Sequence, residues 1–397
     1  MGKLSNRINR LSESATIAMS RKSRELSAQG VDVINLSLGQ PDFNTPDFIK
    51  DAAKQSIDDN FTFYMPVPGY LDLRESISNK FKRDNGLDYK PSQIVVSTGA
   101  KQSIANVVLS LVDEGDKVII PIPYWVTYVE IVKMASGEAK FVNTNLEDDF
   151  KITAAQLEEA IEADTKLMIF SSPCNPSGSV YSKQELLELA EVIAKYPDFY
   201  VISDEIYEYI NFEGQHESLA QFDSIKDQVI TVNGVSKGFA MTGWRVGYIG
   251  APQWIADACV KMQGQFTSGT CGIAQRAAKT AIDASPSVTD EMKSAFLRRR
   301  NLVLEKLNEI EGVKTNVPEG AFYVFPEIDA FFGKSYGDYN INNANDLCLY
   351  LLEVGHVALV TGDAFGSPKC IRFSYAAADE QLIEAIKRIK SALEQLN

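Results

Sequence analysis

Along this chain Asp204, Tyr207, Ser236, Lys237, Arg245 and Arg372 follow an Asn-Pro-Ser-Gly turn at 175–178. They supply an amine able to form a Schiff base, a carboxylate for a ring nitrogen, a hydroxyl for a ring oxygen, and cations for phosphate and carboxylate. Those are the groups pyridoxal phosphate chemistry requires, and no other cofactor accounts for the whole set.

Each motif alone has a plainer reading. Asp204 and Tyr207 directly follow the apolar run YVIS, at the strand end where open α/β sheets hold ligands; singly, D-E-I-Y is an acidic helix start with an aromatic packing residue. Lys237 sits among small residues in VNGVSKG, yet an ordinary lysine is protonated at neutral pH and needs a site favouring its neutral form. Arg245 lies in the glycine-rich MTGWRVGYIG, where a guanidinium can grip phosphate bidentately or pair with a surface acid. The run STGAK, holding Gly99, Ala100 and Lys101, passes from strand to helix, so its free N–H groups would face an anion. It is neither a Walker loop nor a G-x-G-x-x-G fingerprint, which argues against nucleotides. Trp125 follows another apolar run and could stack on a flat ring or pack in the core. Arg372, between Ile371 and Phe373, implies an anionic partner, either protein or ligand.

These residues need elements to hold them. Short apolar runs at 93–97, 117–122, 139–143, 166–171 and 200–203 read as strands, with helix-like stretches at 153–162 and 183–195 between them. The second helix starts after Ser182 with Glu185 three residues on, a capping-box pattern. Buried strands alternating with helices predict an α/β fold with a mostly parallel sheet covered on both faces. Beyond Pro286 the pattern changes to helices at 290–309 and 380–396 with strands at 321–325 and 370–374, a smaller α+β unit.

The chain has 397 residues, 45% hydrophobic and 23% charged, so one large and one smaller domain is expected. A formal net charge of −14 disfavours nucleic acid as a partner. The Arg298–Arg300 run reads as a solvated or ion-paired helix face. Five scattered cysteines without a C-x-x-C pair and two histidines argue against a disulfide framework or a zinc site; a reducing cytoplasm is expected. Cys174, beside the Asn-Pro turn, reads as buried or incidental. No stretch matches a signal peptide or a bilayer span, and Asn6 stands where a lipidation signal at Gly2 wants Ser or Thr.

The ordered set LGQPDF, Tyr64 with Gly69, STGAKQS, PYW, NPSG, SDEIY, VSKGFAMTGWRVGY and IRFSY resembles the class I aminotransferases of fold type I over essentially the full chain. It is most similar to the branch containing bacterial aspartate and aspartate/prephenate enzymes. The resemblance implies that Lys237 bears the Schiff base, Asp204 pairs with the pyridine nitrogen, and Tyr207 and Asn175 meet the ring oxygen. Trp125 would stack on the ring, and Ser236, Arg245 and the Ala100 and Lys101 amides would hold phosphate. Arg372, Gly39 and Asn175 would take the substrate α-carboxylate, and Lys101 and Thr16 a distal one. Tyr64 would reach the phosphate of a neighbouring subunit, implying a homodimer. The implied domains are a large one at 46–288 and a small one from 1–45 with 289–397. The implied reaction is aspartate plus 2-oxoglutarate to oxaloacetate plus glutamate, with prephenate or another amino acid as the alternative. Two other classes are weighed: a non-enzymatic regulator, which wants a DNA-binding module ahead of the fold where only about 40 residues stand, and a β-elimination lyase, which would release ammonia without a keto-acid acceptor.

Overall fold

The computed structural model describes residues 3–397; Gly2 lies outside the described residues. Seven strands form the main sheet: β1 Ile94–Ser97, β2 Lys117–Ile122, β3 Glu138–Asn143, β4 Thr165–Ser171, β5 Tyr200–Asp204, β6 Val229–Gly234 and β7 Gly247–Gly250. Their order is β1-β7-β6-β5-β4-β2-β3. Only β7 runs against its neighbours.

Alternation within the apolar runs explains the layers. Val118, Ile120, Leu167 and Ile169 pack into one core, whereas Ile119, Met168 and Phe170 pack into another. Successive strand residues face opposite sides, so an unbroken apolar run is what a sheet covered on both faces needs. Helices α1 Ala15–Ala28, α2 Ala100–Leu111, α3 Thr127–Met134 and α4 Lys183–Ile193 belong to the N-terminal two-thirds. At α4 the expected box forms: Glu185 Oε2 accepts from Ser182 N at 2.7 Å, and Ser182 Oγ accepts from Glu185 N at 3.3 Å.

The C-terminal part carries β8 Tyr323–Val324, β9 Val360–Thr361 and β10 Ile371–Ser374, in the order β9-β10-β8, with α5 Asp290–Leu307 and α6 Asp379–Leu393. Ile34–Asn35 pairs in parallel with Val357–Ala358, and Ile34, Leu36 and Met19 join this part's core. The N-terminal segment therefore returns to the C-terminal part.

The structure differs from the sequence reading at two places. The strand expected at 321–325 shortens to β8, because Ala321 sits at φ +56° and Pro326 has no N–H to give a ladder. The Arg298–Arg300 run is not a solvated face: Arg299 and Arg300 are buried. Arg299 donates to Asp42 and Asp379, while Arg300 donates to the Pro318 carbonyl and lies over the Phe212 ring. Ion pairing is right for Arg298, which reaches Asp379 at 2.9 Å, and for Arg299, which pairs with Asp42 and Asp379.

Among the described residues no helix is long and apolar enough to cross a membrane. All five cysteines are free. Cys174 is buried, and burial pushes its thiol pKa up, so it is no ready thiolate.

Candidate active site

The C-terminal ends of the parallel strands converge on one cleft of about 680 Å³. β5 ends in Asp204, in register with Ser171 of β4 and Val232 of β6. Lys237 comes three residues after β6 ends. The reversed strand β7 brings Arg245, two residues before its start, to the same edge. A strand running the other way presents its N-terminal approach where its neighbours present their exits.

Asp204 is 4% exposed; its Oδ2 accepts from the Tyr128 hydroxyl at 2.7 Å and its Oδ1 from the Ile206 amide at 3.3 Å. Burial raises its pKa to about 6, against which the Tyr128 bond pulls downward. Lys237 Nζ donates to the Gly39 carbonyl at 2.5 Å. Its pKa falls to about 8, chiefly from burial, then from the positive charges of Arg372 and Arg245, with Asp204 opposing. These surroundings shift Lys237 toward the neutral amine that Schiff-base chemistry needs.

Arg372, on β10, is 2% exposed. Its Nη1 donates to Asn175 Oδ1 at 3.0 Å and its Nη2 to the Ser37 carbonyl at 2.5 Å, while Nε is buried without a partner. Both partners are neutral, so no carboxylate balances the guanidinium. Its faces pack on Tyr323 and Phe365, 4.7 and 5.0 Å from the ring centres.

At the other end, α2 begins beside Gly99, which has φ +83°. A Cβ there would lie 2.0 Å from Arg245 Nη2, so only glycine lets the guanidinium come this close to the helix start. Arg245 itself donates to the Thr242 carbonyl at 3.0 Å, again a neutral partner. Lys101 Nζ stands 5.0 Å over the Trp125 ring, and burial beside Arg245 lowers its pKa. Trp125 meets Tyr128 edge-on at 5.5 Å.

Thr16, Gly39, Ala100, Lys101, Trp125, Asn175, Asp204, Tyr207, Ser236, Lys237, Arg245 and Arg372 all line this cleft. Gly99 lies behind it, shaping the approach of Arg245. Tyr64 is apart from it, with its side chain fully exposed at 100%. Among the lining residues that went unread in the sequence are two tyrosines, Tyr128 and Tyr323. Tyr128 falls three positions after Trp125, a helical spacing that signals a shared face; Tyr323 lies in an aromatic run that reads as core.

A mixed sheet ending in a cleft with a buried acid, a depressed lysine and uncompensated cations is the architecture of an α/β protein built to hold an anionic ligand. The family model for aminotransferase class I and II matches residues 31–389, and the chain belongs to that family. It is an aminotransferase. It is 44% identical over 395 residues, 98% of this chain and 82% of the other, to a bifunctional aspartate aminotransferase and glutamate/aspartate-prephenate aminotransferase of Petunia hybrida. Among solved structures it is similar to the aspartate aminotransferase of Rhizobium meliloti, at 38% identity, full coverage of both chains and a TM-score of 0.96. It also matches that of Thermus thermophilus with maleate, at 37% identity, 99% and 100% coverage and a TM-score of 0.92. The α/β, fold type I architecture expected from the sequence is thereby shown.

Proposed function

We propose that the chain transfers the amino group of aspartate to 2-oxoglutarate using pyridoxal 5′-phosphate. The observation that carries this reading is the imbalance of charge in the cleft: Arg372, Arg245, Lys101 and Lys237 line it, and Asp204 is its one carboxylate. Four cationic groups against one acid suit a ligand bearing phosphate and carboxylates, and a volume of about 680 Å³ falls in the range of cofactor sites.

The residues fit that cofactor. Ser236, Arg245 and the first amides of α2 would hold its phosphate, Asp204 its ring nitrogen, Tyr207 and Asn175 its ring oxygen, and Trp125 its face. Bound, the cofactor supplies an electron sink for the carbon that loses its proton.

The chain supplies the rest. With a pKa of about 8, roughly one Lys237 in ten is neutral at pH 7, against fewer than about one in a thousand for a free lysine. Its Nζ can therefore serve as nucleophile and then carry the α-proton off and back. Arg372, with Asn175 and the Gly39 amide, fixes the substrate's α-carboxylate and so aims the Cα–H bond. Lys101 and Thr16, which also line the cleft, would take the distal carboxylate. Prephenate also bears two carboxylates, so it remains the second reading, consistent with the name of the Petunia relative.

The division into domains at 46–288 and at 1–45 with 289–397 belongs to the same proposal, supported by the pairing of Ile34–Asn35 with Val357–Ala358. So does a homodimer: Tyr64 and Phe63 stand 100% and 78% exposed, as residues awaiting a second subunit would. Free cysteines are in keeping with a cytoplasmic setting.

Steady-state rates with aspartate, alanine and phenylalanine as donors to 2-oxoglutarate, and with prephenate in place of 2-oxoglutarate as the acceptor from aspartate, test the proposal. Aspartate is expected to lead, and Lys101→Ala to lower its kcat/KM about 10–100-fold while leaving alanine within about threefold, the loss of one charge-assisted contact. Aspartate ranking last would refute the dicarboxylate assignment.

A further inference from the structure

Tyr323 belongs to no role assigned so far. It is fully buried on β8 yet lines the cleft, and it touches both Tyr207 and Arg372, which make no direct bond to each other in the proposed function. Its hydroxyl lies 2.8 Å from that of Tyr207, and its ring lies 4.7 Å from the Arg372 guanidinium. Register fixes it there: Tyr323 pairs with Ser374 in the β8–β10 ladder, two residues from Arg372. Gly39 closes the other side, since a Cβ at that position would lie 2.3 Å from Tyr323 Oη. The hydroxyl is thus held in one place by backbone on one side and Tyr207 on the other.

We propose that Tyr323 is a positioning residue that links the carboxylate-binding arginine to the ring-oxygen donor. The inference rests on reading the cleft as a pyridoxal phosphate site. A hydroxyl pair contains two protons, and either oxygen can be the donor. When Tyr207 turns its proton toward a ring oxygen, its own lone pair is free to accept from Tyr323, and that second bond strengthens the first. Arg372, against the Tyr323 ring, favours a polarised hydroxyl there. A carboxylate arriving on Arg372 neutralises that charge and weakens the chain of donors. Substrate occupancy is in this way transmitted toward the ring oxygen through Tyr323, beside the route through Asn175, which accepts from Arg372 at 3.0 Å. The charged and titratable groups around the pair are Arg372 from β10, Lys237, whose Nζ stands 5.7 Å over the Tyr207 ring, and Asp204 of β5, which also acts on Tyr207.

The test is a visible-absorbance pH titration of holoenzyme, with and without succinate, a dicarboxylate lacking an amino group to transfer. Donation to the ring oxygen favours the form of the lysine-bound cofactor that has lost its proton. Tyr323→Phe keeps the ring over Arg372 and deletes only the hydroxyl, so the apparent proton dissociation constant should fall about fivefold, the worth of one ordinary hydrogen bond. The succinate-induced shift should shrink by at least about half. In a Tyr207→Phe background the same substitution should add less than about twofold, because its route is gone. A purely structural tyrosine would move stability and leave the titration in place. An unchanged midpoint, an unchanged succinate response or a full effect in the Tyr207→Phe background overturns the proposal while leaving the cofactor reading intact. Wild-type protein that shows no visible band overturns both.

Discussion

Two arginines in this molecule are almost equally buried, 6% exposed at Arg299 and 2% at Arg372, and their surroundings are opposite. Arg299 donates from Nη1 and Nη2 to the Asp42 carboxylate at 2.7 and 2.8 Å and from Nε to Asp379 at 3.1 Å. Every face of its charge is answered by the chain itself, so it seams the N-terminal segment to α6. Arg372 has a side-chain amide, a backbone carbonyl and an orphaned Nε, and burial pulls its pKa down. A buried charge is tolerated when paired and costly when not. The unpaired one is therefore the one kept for a ligand. The same contrast separates the cleft from a second cluster, where Lys80 meets Glu208 and His216 meets Glu205 at 3.0 Å. Those carboxylates take their partners from the protein itself.

The sharpest way to break this comparison is the same substitution at both arginines. Arg372→Met should cut kcat/KM for aspartate by about 10³-fold or more, because a bidentate charge-assisted contact made to substrate is lost. Its urea midpoint should stay level or rise, since an uncompensated buried cation has been removed. Arg299→Met should do the reverse: a loss of about 3 kcal/mol in stability from stranding two carboxylates, with kcat/KM of the folded enzyme within about threefold. Equal destabilisation at both positions with unchanged kinetics would erase the distinction.

Arg372 could be suspected from sequence because a guanidinium between Ile371 and Phe373 contradicts its neighbours. The identity of its partners could not, since Asn175 and Ser37 approach it from 197 and 335 positions away. The sheet was legible for a local reason: runs such as KVIIPI and KLMIFS bury both faces, and Ser182 and Glu185 write their helix start within four residues. For Arg299 the ion-paired alternative holds, but its burial and its acids could not be read, because those acids come from 257 and 80 residues distant. Tyr128 and Tyr323 were passed over for a related reason. A tyrosine in an apolar run is core by composition, and only the position of its hydroxyl makes it part of a site.

Lys237 offers a second, smaller probe of the unpaired arginine. Capture of pyridoxal phosphate by cofactor-free protein requires the neutral amine, so its rate should climb with pH through a midpoint near 8 rather than near the usual value of about 10.4. After burial, the largest cause of that depression is the charge on Arg372. Arg372→Met should accordingly move the midpoint upward, whereas Arg299→Met should leave it where it is. A midpoint indifferent to Arg372 would mean that burial alone sets the amine.

The smallest effect is expected at Asp204, where the comparison turns from cations to the one acid in the cleft. In cofactor-free protein its pKa of about 6 lies above the unfolded value of about 3.9. Between those two values the native state holds a proton that the unfolded chain has released, so stability falls as pH rises from about 4 to about 6 and levels off above. Tyr128 opposes this by donating to Oδ2 at 2.7 Å. Tyr128→Phe removes that donor, so the carboxyl should titrate higher and the decline in stability should continue past pH 6, by about 1 kcal/mol in total, the net worth of one hydrogen bond. Carbon-13 NMR of the Asp204 carboxyl gives the midpoint directly. A midpoint that fell in the variant, or stayed at about 6, would show that the hydroxyl does not stabilise the ionised acid, and the cleft's single negative charge would then owe its state to burial alone.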